Sequence, residues 1–222
     1  KGGYKPEEIC GADVLQNVAD DVALTHYITT GTSNSEVAAA ADVLILAVKP
    51  QFMDTALKTI KDEVKKDCII ISIAAGKTVD YFAEAFGRKA KIVRCMPNTP
   101  ALVGAGCTGF CCNENLTEDD KKIVSRILES FGKAIEVPEK MMDVVVGVSG
   151  SSPAYVFMFI EAMADAAVRE GMPRATAYEF AAQAVMGSAK LMLDYKKHPG
   201  ELKDAVCSPG GTTIAGIHAL EE

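Results

Sequence analysis

Three short apolar runs, each stopped by a turn of small, Pro, Gly or Asn residues, constrain this chain more than any other feature. Val43-Leu44-Ile45-Leu46-Ala47-Val48 ends at Lys49-Pro50, and Cys68-Ile69-Ile70-Ile71-Ser72-Ile73 ends at Ala74-Ala75-Gly76. Lys91-Ile92-Val93-Arg94-Cys95-Met96 ends at Pro97-Asn98-Thr99-Pro100. A run without polar alternation suits a strand covered on both faces. Amphipathic stretches fill the intervals, so the pattern predicts βαβ units around a parallel sheet. Residues 52–65 and 79–86 carry apolar side chains at three- and four-residue spacing and read as helices. Thr117-Glu118-Asp119-Asp120 offers an N-cap and an acidic first turn for a helix running to about Phe131, with Gly132 ending it. Residues 107–112 and 134–137 predict a fourth and a fifth strand.

From about Met141 the strand signals stop. Ser152-Pro153 reads as a cap and an N1 proline for a helix reaching Glu170 and ending at Gly171. It is apolar almost all round, which demands burial in a large core or against a partner chain. A second long helix spans 174–195, His198-Pro199-Gly200 breaks it, and a short helix follows to Cys207. Ser208-Pro209-Gly210-Gly211-Thr212-Thr213 then opens one more. The expected fold is therefore α/β, a Rossmann-like parallel sheet over 1–140 followed by an all-helical domain over 141–222. The apolar excess of the helical half predicts a homodimer through it, with a higher oligomer open.

The formal charge of −7 and pI near 5.1 argue against a nucleic-acid binder. No uninterrupted apolar run approaches the ~20 residues of a membrane span, and no leader precedes the first helix, so the expectation is a soluble cytoplasmic protein without a membrane partner. The cysteines, scattered and without a C-x-x-C pair, read as reduced thiols buried as small hydrophobes, and no metal site is expected. Met141, Met142, Met158, Met163, Met186 and Met192 read as core filling. His26, His198 and His218 receive no acid–base role. Glu161 and Asp165, one helical turn apart, could pair as carboxylates or serve helix pairing.

Three constellations could carry chemistry. In an open parallel sheet, ligands bind beyond the carboxyl ends of the strands. The turns there offer alanines and a glycine for close backbone approach, Asn98 for a carboxamide or hydroxyl, and Lys49 for a phosphate or ribose. The same residues also suit ordinary strand-to-helix turns. Ser208 to Thr213 could form a nest of N–H groups for a carboxylate, or a plain Gly-containing turn. Val148-Ser149-Gly150-Ser151-Ser152-Pro153-Ala154-Tyr155 suits close packing, with hydroxyls that could line a cleft.

These stretches together resemble the bacterial-type pyrroline-5-carboxylate reductase family. The likeness is densest in Ser149-Gly150-Ser151-Ser152-Pro153-Ala154-Tyr155 and in His198-Pro199-Gly200-Glu201-Leu202-Lys203-Asp204, running on through Cys207-Ser208-Pro209-Gly210-Gly211-Thr212-Thr213. It implies hydride transfer from NADPH or NADH to 1-pyrroline-5-carboxylate, giving L-proline in the last step of its biosynthesis. It further implies that Ser208, Gly210, Gly211, Thr212 and Thr213 bind the substrate, with Thr213 the catalytic side chain, offering its hydroxyl to the ring nitrogen. Ala75 would lie near the substrate and Glu139 at its periphery. Asn34, Ala47, Val48, Lys49, Pro50, Ile73, Ala74, Ala75, Met96 and Asn98 would hold the cofactor, and no metal is implied.

Against the family pattern, the start Lys1-Gly2-Gly3-Tyr4-Lys5-Pro6 matches the end of a first helix. On the order of 20 residues bearing the first strand and its G-x-G-x-x-G loop are expected ahead of it. The end at Glu221-Glu222 falls where the family continues in helix. Two rivals stand beside this reading. One is a non-catalytic dinucleotide-binding fragment. The other is a hydroxyacid-type two-domain dehydrogenase, which would want a lysine between Pro153 and Glu170, where there is none.

Overall fold

The computed structural model describes residues 3–86 and 89–222. It parts into two compact units, Lys1–Pro153 and Ala154–Glu222. The first unit holds β1 (Cys10–Ala12), α1 (Gln16–His26), β2 (Thr29–Gly31), α2 (Asn34–Ala40), β3 (Val43–Leu46), α3 (Met53–Ile60), β4 (Ile69–Ser72) and α4 (Val79–Phe86). It continues through β5 (Lys91–Met96), β6 (Gly106–Cys112), α5 (Glu118–Glu129), β7 (Gly132–Glu136) and α6 (Met142–Val145). The second unit is helical: nearly all of α7 (Ser152–Arg169), then α8 (Arg174–Tyr195), α9 (Pro199–Val206) and α10 (Thr212–Glu221). Lys1 and Gly2, expected at the end of a helix, lie outside the described residues; Pro6–Glu8 forms one 3-10 turn.

The sheet runs β3-β4-β5-β6-β7, while β1 and β2 pair in parallel as a separate two-stranded sheet. β3, β4 and β5 are parallel, β6 runs antiparallel to β5, and β7 is parallel to β6. The expected parallel arrangement holds over β3, β4 and β5, and β6 departs from it. The 3-10 turn Thr99–Val103 and Gly104, at φ 75, bring the chain straight back beside β5 without a crossover helix. The other correction concerns β3. Its Ile45 is 49% exposed, since among the described residues β3 pairs only with β4. β4, with a neighbour on each side, has every residue buried.

Period-two alternation divides the strand side chains between two cores. Leu44, Leu46, Ile70 and Ile92 meet Met53, Leu57 and Ile60 of α3 and Phe82 and Phe86 of α4. Ile69, Ile71, Val93, Cys95 and Phe110 meet Val124 and Leu128 of α5 on the other face. Each such large apolar side chain contributes about 1.5–3 kcal/mol by leaving water. α5 starts where its cap predicts: Thr117 Oγ1 accepts from Asp120 N–H, and Asp120 returns an oxygen to Thr117 N–H at 2.8 Å. The Asp120 carboxyl is pushed up by burial, but hydrogen bonds from Lys91 and Thr117 outweigh this and hold it below its ordinary range. Gly132 does not stop the helix. α5 ends at Glu129 through Ser130, and Gly132 is the first residue of β7, at φ 153.

α7 starts at Ser152, as the Ser152-Pro153 pair predicts, but helical structure already precedes it. α6 runs into a π turn over Val146–Gly150, closed by Ser151 N–H on Val146 O at 2.8 Å. Met142, fully buried, joins Met96 and Cys111 in a third small core. The expected division at 140/141 separates kinds of element. The compact units part later because residues 142–150 pack on the sheet.

Candidate half-sites in the two units

The C-terminal ends of β3, β4 and β5 lie on one edge because the three strands run the same way. Ala47 and Lys49 are exposed and Val48 and Pro50 half-buried, with Pro50–Phe52 forming a 3-10 turn into α3. Beyond β4, Ile73 is half-buried and Ala74 belongs to the core, where Ser72 Oγ accepts its N–H at 3.2 Å. Ala75 and Gly76 are exposed; Gly76 sits at φ 74 with open space where a Cβ would point. That open backbone fits a flat nicotinamide or ribose. Asn34 is half-buried at the first residue of α2, whose N-cap Ser33 accepts from Glu36 N–H at 3.2 Å.

Two expected cofactor residues turn inward. The Met96 side chain lies in the third core, leaving only its backbone at the edge. Asn98 Nδ2 donates to Ser149 O at 3.2 Å and Ser149 Oγ at 3.3 Å, while its Oδ1 accepts from Cys107 N–H at 2.9 Å. Asn98 therefore joins the end of β5, the start of β6 and the π turn, and Ser149 owes its place to that bond. Glu139 is similarly engaged: one oxygen accepts from Val79 N–H at 2.9 Å and from Arg94 Nη1 at 3.1 Å. Arg94 and Ser72 are absent from the sequence-derived candidates, whereas Ser149 belongs to the stretch whose hydroxyls could line a cleft. A single arginine inside an apolar strand run was the available signal for Arg94.

The turns after β3 and β4 are tied to each other. The Tyr81 hydroxyl of α4 donates to Asp54, in the first turn of α3. Burial, together with that bond and the Asp54 charge, pushes Tyr81 up to about 12.

In the second unit, Gly210 takes φ 69 and Gly211 N–H returns to Ser208 O at 3.0 Å, a tight turn ahead of α10. Gly211 is the N-cap and supplies no side-chain cap, so the first N–H groups of α10 point out of the helix unanswered by a capping oxygen. A Cβ on Gly211 would stand 2.4 Å from Ser208 Oγ. Thr213 is half-buried, and Ser208, Gly210 and Thr212 are exposed. This is a helix N-terminus without a side-chain cap, and the segment 208–213 contains no titratable side chain.

Several expectations are corrected in the helical unit. α7 and α8 bury few residues (Ala164, Ala177 and Ala181), and Phe157 is 63% exposed. Met141, Met158, Met186 and Met192 are exposed too, so they do not fill a core within the chain. Asp165 pairs with Arg174 rather than Glu161. His198 caps α9, its Nδ1 accepting from Gly200 N–H at 3.1 Å. The thiols are free, and Cys10 is exposed, unlike the buried Cys68, Cys95 and Cys111. The helical stretch Glu139–Arg169 is long and apolar enough by length and composition to cross a membrane, although charged residues interrupt it. An apolar partner surface passes the same test.

Comparison with known proteins follows the same division. Residues 139–222 match the family model for pyrroline-5-carboxylate reductase dimerisation, and residues 1–76 match that for coenzyme F420-dependent NADP oxidoreductases. The chain is 56% identical over 206 residues to the pyrroline-5-carboxylate reductase of Escherichia coli K12, covering 91% of this chain and 77% of that protein. It superposes on a pyrroline-5-carboxylate reductase from Coxiella burnetii with a TM-score of 0.91 at 35% identity, over 99% of this chain and 82% of that one. The Plasmodium falciparum pyrroline carboxylate reductase solved with NADP bound matches with a TM-score of 0.84 at 32% identity, over 99% and 91%.

Proposed function

This chain belongs to the pyrroline-5-carboxylate reductase family, and from that membership we propose how its residues divide the work of the reaction. The enzyme is an NAD(P)H-dependent oxidoreductase that reduces 1-pyrroline-5-carboxylate to L-proline. The substrate carboxylate docks on the N-terminus of α10, where the backbone N–H groups and the positive end of the helix favour an anion. Ser208 shapes the turn by accepting the Gly211 N–H, Gly210 supplies its positive φ, and Thr212 and Thr213 offer backbone N–H groups. The Thr213 hydroxyl meets the ring nitrogen. The carrying observation is this uncapped helix end, fronted by a glycine turn and holding a half-buried Thr213.

Ala47, Val48, Lys49, Pro50, Ile73 and Ala75, with Asn34, form the cofactor edge, while Ala74, Met96 and Asn98 shape it from beneath. When bound, the reduced nicotinamide supplies the hydride for the imine carbon. The protonated imine is already an electrophile, so orientation and electrostatics suffice, and no general acid is needed among 208–213. Glu139, its carboxylate taken up by Arg94 and the Val79 N–H, stands behind the cofactor edge and out of contact with the substrate. Imine-dependent oxidation of NADPH and of NADH by this chain tests the reading; no oxidation of either sinks it.

Product binding gives a second test. With L-proline about tenfold above its Kd, stabilisation is about 1.4 kcal/mol and Tm rises by roughly 3–5 °C. A Tm indifferent to proline removes the proposed nest.

Family membership makes the chain a homo-oligomer, and we assign the contact to the exposed apolar faces of α7 and α8. Phe157→Asp places a charge on that face. It is expected to halve the mass by light scattering at micromolar concentration; an unchanged oligomer puts the contact elsewhere. We place the protein in the cytoplasm, in line with its formal net charge of −7.

A further inference from the structure

Arg94 is a charged side chain only 5% exposed, set in β5 between Ser72 of β4 and Cys111 of β6. A guanidinium stays protonated there and needs acceptors. Nη1 reaches Glu139 Oε1 at 3.1 Å, Nη2 lies 3.6 Å from the largely exposed Asp143 carboxylate, and Nε has no partner among the described residues. A buried ion pair so incompletely satisfied is a poor source of stability, because desolvation offsets its Coulomb gain. Its geometry has a different use. The Glu139 oxygen that meets Arg94 also accepts the N–H of Val79, the first residue of α4.

The connection 73–78 is thereby held at both ends by side chains, Ser72 of β4 and Glu139 of the 3-10 turn Glu139–Met141. Ser72 Oγ takes Ala74 N–H at its start, and Glu139 takes Val79 N–H at its finish. Thr78 Oγ1 adds a bond from Tyr81 N–H at 3.1 Å. Between the anchors Ala75 and Gly76 are exposed, and Gly76 has no heavy atom near its missing Cβ to define it. The backbone assigned to the cofactor edge is held from its ends and from below.

We propose that Arg94 and Glu139 are positioning residues for the reduction, acting through Val79 N–H to fix the 73–78 backbone against the nicotinamide end of the cofactor. Arg94 orients Glu139, and Glu139 orients the start of α4. This rests on the cofactor edge assigned under the proposed function.

The test compares the wild-type chain with Arg94→Met/Glu139→Ala and Arg94→Met/Glu139→Gln. Removing both charges avoids stranding either one, so both variants fold with Tm near that of the wild type. The Ala variant leaves Val79 N–H without its acceptor. Its amides over 74–79 are expected to exchange with solvent about tenfold faster or more, and kcat to fall by about tenfold to a hundredfold. The KM for the imine changes by less than about threefold, because the α10 turn is untouched. The Gln variant keeps an oxygen for Val79 N–H and recovers most of both losses.

Wild-type exchange over 74–79 in the Ala variant overturns the proposal, as does a kcat loss matched by Gln and Ala alike. A rise in imine KM alone also overturns it, since that marks Glu139 as a direct substrate contact. If the wild-type chain itself turns over no imine, the reading of function fails, and the exchange arm still decides the brace.

Discussion

Replacing Thr213 by alanine is expected to lower imine reduction by about tenfold or more, with cofactor affinity little changed. Thr213 is the second residue of α10, and Gly211 caps that helix without a side chain. Its hydroxyl is thus a half-buried polar side-chain group placed at a helix end whose N-cap is a glycine. Alanine keeps the N–H groups, so the carboxylate still docks and the imine KM moves modestly. The hydroxyl acts as charge on the ring nitrogen changes, so its loss falls on kcat. Alanine is also a better helix former than threonine, so the variant should melt no lower than the parent. Steady-state rates at saturating NADPH and NADH, with Thr213→Ser as the partial rescue, decide the point. Equal rates in parent and alanine variant would leave Thr213 with no chemical part.

Gly132→Ala is expected to destabilise the chain by about 3 kcal/mol or more, the largest effect anticipated for a single added methyl. The Cβ would lie 2.1 Å from Gly106 O and 2.5 Å from Gly106 C and N. Those are backbone atoms of the strand residue paired with Gly132, so no side chain can swing aside. The φ of 153 adds strain for any L side chain. Gly106 has little room to retreat, since its own Cβ position is 2.9 Å from Ala101. Urea midpoints at constant slope measure the loss; a change under about 1 kcal/mol would show that β6 and β7 can separate cheaply.

These two glycine-rich places show how differently the sequence speaks. Gly132 follows a helical pattern and reads locally as its stop. Its work is set by Gly106, a residue distant in sequence, and that pairing leaves no local trace. Gly210 and Gly211 could be read from their neighbours alone, because a tight turn and a helix N-terminus are made by consecutive residues. Asn98 and Glu139 fall between. Their positions at strand and turn ends were legible, but their hydrogen-bond partners, Ser149 and Arg94, lie 51 and 45 residues away.

By itself the sequence determined the β and α alternation of the first half, the helices of the second, the cap at Thr117 and the turn before α10. Each depends on periodicity, capping or turn chemistry within a few residues. The tertiary structure alone decided that β6 returns antiparallel, that Ile45 lies on an edge, and that Met96 and Asn98 face inward. It also decided that Arg94 and Glu139 tie down the start of α4. Those outcomes depend on which strands become neighbours, and neighbours are chosen by burying surface and satisfying buried polar groups across the whole sheet.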